Sequence, residues 1–130
     1  MDQSEMNAAA AMFKDKAHRE RYLDIMLRMQ SNNPEHASFA YLVSLVDAPI
    51  NDCFDFENDK IKMDMLDHAW VTGTDRRVLT LAKNLWNCIN SADVSDVFSY
   101  VGDFYSELLF YAIQIRFEYA SYIVCPGKSN

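Results

Sequence analysis

A chain of 130 residues is the size of one domain and can bury a core without disulfide or metal staples. Half of it is hydrophobic and 13% aromatic, which excludes a disordered chain, and three Gly and three Pro argue against a many-turned β fold. A net charge of −7 opposes direct binding to nucleic acid or an anionic membrane and favours basic protein partners.

The three cysteines, Cys53, Cys88 and Cys125, are widely spaced and form no CxxC pair. With no secretory signal at the first residues, a reduced, cytoplasmic setting is expected. Apolar runs fall short of the ~18–20 residues that a membrane span requires.

Residues 1–12 are alanine-rich and polar and are expected to form a flexible extension. Residues 13–124 are then a single helical domain, and 125–130 a flexible tail. Asp15 is suited to cap a first helix, Lys16 to about Gln30, with Tyr22, Leu23, Ile25, Met26 and Met29 on its apolar side. Phe13 stands just before it, placed to staple its start. Asn33 and Pro34 start a second helix, to about Val46, that is apolar nearly all round and therefore well buried. Asp47-Ala48-Pro49 ends it.

From Ile50 to Trp70 the periodicity breaks down. Two short extended pieces around Glu57-Asn58-Asp59-Lys60 predict a hairpin-like insert at residues 53–63. Thr74 is placed to cap a helix from Asp75 to about Asn90, with Val78, Leu81, Ala82, Leu85, Trp86 and Ile89 inward. A short helix, Val94 to Val101, turns Val94, Val97, Phe98 and Val101 inward, and Gly102 is a hinge. The stretch Asp103 to Tyr122 is rich in Phe and Tyr, and Phe104, Leu108, Ala112, Ile115 and Tyr119 share one side of a helix. It is expected to be the central helix. The fold class is therefore mainly α: an irregular single-domain bundle of about four main helices.

Several motifs recur in a family that this chain resembles. His18, Arg21 and Tyr22 open it. Phe56 and Ile61 bracket a turn, Leu79, Ala82, Leu85, Trp86 and Asn87 mark a helix, and Ala112, Ile113, Ile115 and Arg116 mark the closing helix. In this order they resemble a small uncharacterised family of Firmicutes and their phages and mobile elements, over about Phe13 to Tyr119. The resemblance implies a genomic setting and no mechanism.

Candidate chemistry is sparse. His18, Arg21 and Tyr22 share one helix face and form a candidate pocket for an anion or a proton transfer, against the plainer reading of a His ring packed on the next helix. Asp55, Glu57 and Asp59 match the start of a calcium loop, but Lys60 and Leu66 stand where Gly and Glu are needed, so a solvated acidic turn is expected. No His or Cys pair has metal-ligand spacing, and neither metal nor cofactor is expected; His68 and Cys53 are the pair to watch. Thr74, Asp75, Arg76 and Arg77 open a helix and offer amides and cations to a phosphate, although Asp75 already satisfies the helix dipole.

The acidic segment is the most informative feature. Asp52, Phe54, Asp55, Glu57, Asp59, Asp64 and Asp67 form a candidate partner-binding surface, with Phe54, Phe56, Met63 and Met65 as apolar anchors. The plainer reading is a hairpin with its apolar side on the core. Phe110, beside Tyr111, interrupts the polar side of the last helix. Either the first helix covers it or it marks a homodimer or partner surface. With no catalytic set, the chain reads as a non-enzymatic, acidic binding protein that occludes a basic protein surface. A CRISPR effector or another nucleic-acid-binding host-defence protein is the expected target, in the manner of an anti-CRISPR inhibitor. A sensor or enzyme at His18, Arg21 and Tyr22, and a structural homo-oligomer subunit, are the alternatives.

Overall fold

The computed structural model describes residues 12–87 and 90–117. The order is α1 (Lys16–Met29), α2 (Pro34–Leu45), a single turn α3 (Ile50–Cys53), β1 (Phe54–Asp55), β2 (Lys60–Ile61), a 3-10 turn (Met65–Asp67), α4 (Gly73–Asn87), α5 (Val94–Phe98) and α6 (Gly102–Arg116). The molecule is mainly α; among the described residues there are four long helices and one small hairpin in the middle.

Asp15 caps α1 as expected: its carboxylate accepts from the His18 amide at 2.8 Å, and this bond holds its pKa below the usual carboxylate range. Gln30 closes α1 in the left-handed conformation, φ 53°. Asn33 stands at the start of α2, but its side chain makes no capping bond; Pro34 and Glu35 form the first turn. Residues 36–45 of α2 are buried without a break. α4 begins at Gly73, just before the expected Thr74 cap, and α6 begins at Gly102, whose φ of 82° suits a residue without a Cβ.

The centre of the bundle differs from the expectation. α2, not the last helix, packs against α1, α4 and α6. In α6, Leu108, Leu109, Ala112 and Ile115 are buried, but Phe104 is 54% exposed. A helix lying on one neighbour needs one apolar stripe; a helix enclosed by three needs apolar residues all round, as α2 has. Tyr119, Ile89, Cys88 and Cys125 lie outside the described residues. Met12, assigned to the N-terminal extension, is part of the core, and its carbonyl accepts from the Tyr41 hydroxyl.

Among the described residues no helix is long and apolar enough to cross a membrane.

Candidate functional site

The hairpin is held to the core by aromatic rings. Phe54 and Ile61 pair across it and are both buried. The Phe54 ring lies 5.9 Å from Phe39, 5.5 Å from Trp86 and 5.0 Å from Phe56. Phe54 therefore belongs to the core and not to the expected docking surface: period-two alternation puts it opposite Asp55, facing inward. Met65 is fully buried too. Phe56 is half-buried beneath Arg28, whose guanidinium carbon is 4.2 Å from the ring centre.

The turn is fixed from both ends. Asp55 accepts from the Asn58 side chain at 2.8 Å and the Asn58 amide at 3.1 Å, and these bonds lower its pKa. Asp59 adopts φ 54° and accepts from His36 Nε2 at 2.8 Å. His36 is buried between Phe54 and Trp86 and sits in the first turn of α2. The hairpin tip is thus tied to the start of the central helix. Asp52 accepts from the Trp70 indole N–H at 3.0 Å.

What remains for a partner is narrower than the sequence suggested. Glu57, Asp64 and Asp67 are exposed, with carboxylates free of any partner among the described residues. Met63, next to Asp64 in the chain, is 63% exposed. Beside it opens a shallow cleft of about 520 Å³, lined by Asp55, Lys60, Ile61, Lys62, Met63, Asp64, Trp86 and Asn87. Trp86 was expected to be wholly inward; it is half-buried and serves as one wall of the cleft. On the helix surface it falls between Leu79 and Ala82, both fully buried, so the spacing along α4 carries no sign of its exposure.

The other candidate positions have structural work. His18 is fully buried. The Lys14 amide donates to its Nδ1 at 3.0 Å, so Nε2 carries the proton and donates to the Tyr41 carbonyl at 2.9 Å. Burial pushes its pKa down to about 4, against the smaller raising effect of the Tyr41 bond. Phe13, Tyr22 and Tyr41 surround it, with centroid distances among the four rings of 4.8 to 6.4 Å. Arg21 gives Nε and Nη2 to the Ser44 carbonyl at 2.9 and 2.7 Å, and Asp47 is 3.4 Å away. It therefore caps the C-terminal end of α2. Both ring nitrogens of His18 are taken by backbone, and Arg21 spends Nε and Nη2 on the Ser44 carbonyl.

Arg76 and Arg77 part company: one donates to the Leu66 carbonyl at 3.1 Å, the other to the Asp96 carbonyl at 3.1 Å. They do not converge on a phosphate. Asp75 is partly buried, which raises its pKa. Cys53 is buried, its thiol pushed up to about 12 by desolvation and then by Asp52. His68 stacks on Trp70 at 5.9 Å. Among the described residues no three His, Cys, Asp or Glu side chains come together as a metal site.

Arg116 joins three elements. Its Nε donates to the Leu85 carbonyl at 2.6 Å, and Nη1 lies 3.5 Å from Glu35. α6, α4 and the start of α2 meet there.

Compared with known proteins, residues 8–125 match a family described as of unknown function, DUF6075. No curated protein and no solved structure matches the chain significantly.

Proposed function

We propose that this chain, which belongs to the family of unknown function DUF6075, is a small acidic binding protein that occludes a basic surface on another protein. The observation that carries the reading is Met63, exposed in the Trp86 cleft next to Asp64, on an insert whose Glu57 and Asp67 are exposed as well. An exposed thioether is a deformable anchor, and carboxylates around it steer a basic partner into place. The rings of Phe54, Phe39 and Trp86 hold this face on the core, so docking costs little ordering.

The setting we infer is a phage or mobile element of Firmicutes, and the target a nucleic-acid-binding defence protein such as a CRISPR effector. A surface that repels phosphates can stand in their place on a basic groove. The test uses purified chain and a panel of basic nucleic-acid-binding proteins, CRISPR effectors included. Binding should weaken steeply with salt, compete with nucleic acid, and be lost on combining Met63→Asp with Glu57→Lys, Asp64→Lys and Asp67→Lys. Asp55 and Asp59 are left unchanged because they hold the turn. Capture that survives this reversal, or that nucleic acid leaves untouched, would sink the reading.

A further inference from the structure

On the other flank of α4 from Trp86 lies an apolar groove of about 170 Å³, walled by Leu81, Leu85, Val97 and Ile113 and edged by Val94, Phe98 and Phe117. A cavity of about 150 Å³ accepts a benzene ring, so there is room here for one large apolar side chain. The apolar surface continues beyond the groove. Phe110 is 54% exposed and stacks on Phe98 with ring centres 5.0 Å apart. Val94 and Phe117 are 71% and 51% exposed. α1 does not cover Phe110, contrary to one expectation from the sequence.

Around this surface exposed carboxylates outnumber cations. Asp93 and Asp96 are exposed beside Val94 and Phe98, while Asp103 and Glu107 are exposed on α6 just before Phe110. Two arginines share the rim: Arg77 bonds the Asp96 carbonyl and lies over the Tyr100 ring, while Arg116 bonds the Leu85 carbonyl, pairs with Glu35 and lies 5.3 Å from the Phe117 ring centre. Phe110 and Phe117 are seven residues apart, so they lie on one side of the helix axis, about 10 Å apart along it. That is two turns of a facing helix.

We infer that this groove seats a basic amphipathic helix of a partner protein. Its apolar side enters between α4, α5 and α6, and Lys or Arg on its flanks meet Asp93, Asp96, Asp103 and Glu107. A second copy of the chain fits worse: a two-fold contact would set this acidic rim against its own image. The inference is independent of the hairpin reading, because Trp86 and Asn87 line one site and Leu81, Asn84 and Leu85 the other.

The experiment titrates the full ¹⁵N-labelled chain with a synthetic amphipathic Leu/Lys helix and with a scrambled peptide of the same composition, at about 0.15 M salt to screen loose charge attraction. The amphipathic peptide should bind at least about tenfold more tightly. Its shifts should centre on Val94, Phe98, Phe110 and Ile113. Phe110→Asp, an exposed substitution that leaves the core intact, should remove the difference between the peptides. Combining Asp96→Lys, Asp103→Lys and Glu107→Lys should weaken the amphipathic peptide by a similar factor, with Asp93 left unchanged because it caps α5. Equal affinity for the two peptides would overturn the inference, as would shifts confined to residues 55–64. So would concentration-dependent self-association lost on Phe110→Asp, which makes a second copy the occupant. Peptide binding that requires deletion of residues 118–130 would overturn it as well, by making that segment the occupant.

Discussion

His18 Nε2 donates to the carbonyl of Tyr41 across 2.9 Å, and this bond carries α1 onto the middle of α2. The imidazole must be neutral to keep both its bonds, because Nδ1 accepts from Lys14. Its folded pKa is depressed from 6.5 to about 4, so its contribution to stability is complete above pH 6.5 and is lost as pH falls towards 4. Between pH 7.5 and pH 5 the loss should be about 2 kcal/mol in urea unfolding. His18→Gln should lower stability at pH 7.5 and flatten this part of the profile. An unchanged pH slope in the variant would show that another group is responsible.

Arg21 satisfies the Ser44 carbonyl twice. Arg21→Ala should cost about 1–2 kcal/mol, because a helix end is left without its charged partner. Lysine should recover only part of this, since an ammonium cannot reproduce the planar fork. Denaturant midpoints of the three chains check the order.

The centre of the fold can be tested directly. Leu42, fully buried in α2, should cost about 2–5 kcal/mol when replaced by Ala. Phe104→Ala, at a 54% exposed position of α6, should change stability by about 0.5 kcal/mol or less. Similar losses in the two would restore α6 as the hub.

Cys53 should be inert in the folded chain. With its thiol near 12 and its side chain buried, it offers almost no thiolate at pH 8. Peptide mapping after iodoacetamide treatment should find Cys53 unmodified in buffer and modified in urea. Rapid labelling in buffer would require an opening that the packing around Cys53 does not provide.

Much of the fold could be read from residue spacing, and the reasons for the misses are specific. The caps and stripes of α1 and α4 are local patterns, and local periodicity reports them well. The hairpin was visible through Phe54, Asp55, Lys60 and Ile61 despite a turn without Gly. Which helix sits in the middle depends on how many neighbours enclose it, and no single stripe encodes that. The wealth of aromatic residues after Asp103 drew attention to α6, although Phe104 and Phe110 face outward. For the candidate site, spacing set His18, Arg21 and Tyr22 on one helix, but the acceptors of His18 and Arg21 are backbone carbonyls of α2, in each case 23 residues further on. Phe54 was placed among the docking residues because its neighbours are acidic, while strand alternation turns it inward. Trp86 reached the cleft from a separate element, beyond what local pattern can join.

The unbroken burial of α2 has a cost for the chain as it leaves the ribosome. Residues 36–45 can be shielded from water only when α1, α4 and α6 have all arrived, and α6 is made last. Until then the same stretch is adhesive, a natural target for chaperones and proteases. Truncations that remove α6 should therefore yield insoluble or rapidly degraded protein, instead of a smaller stable domain.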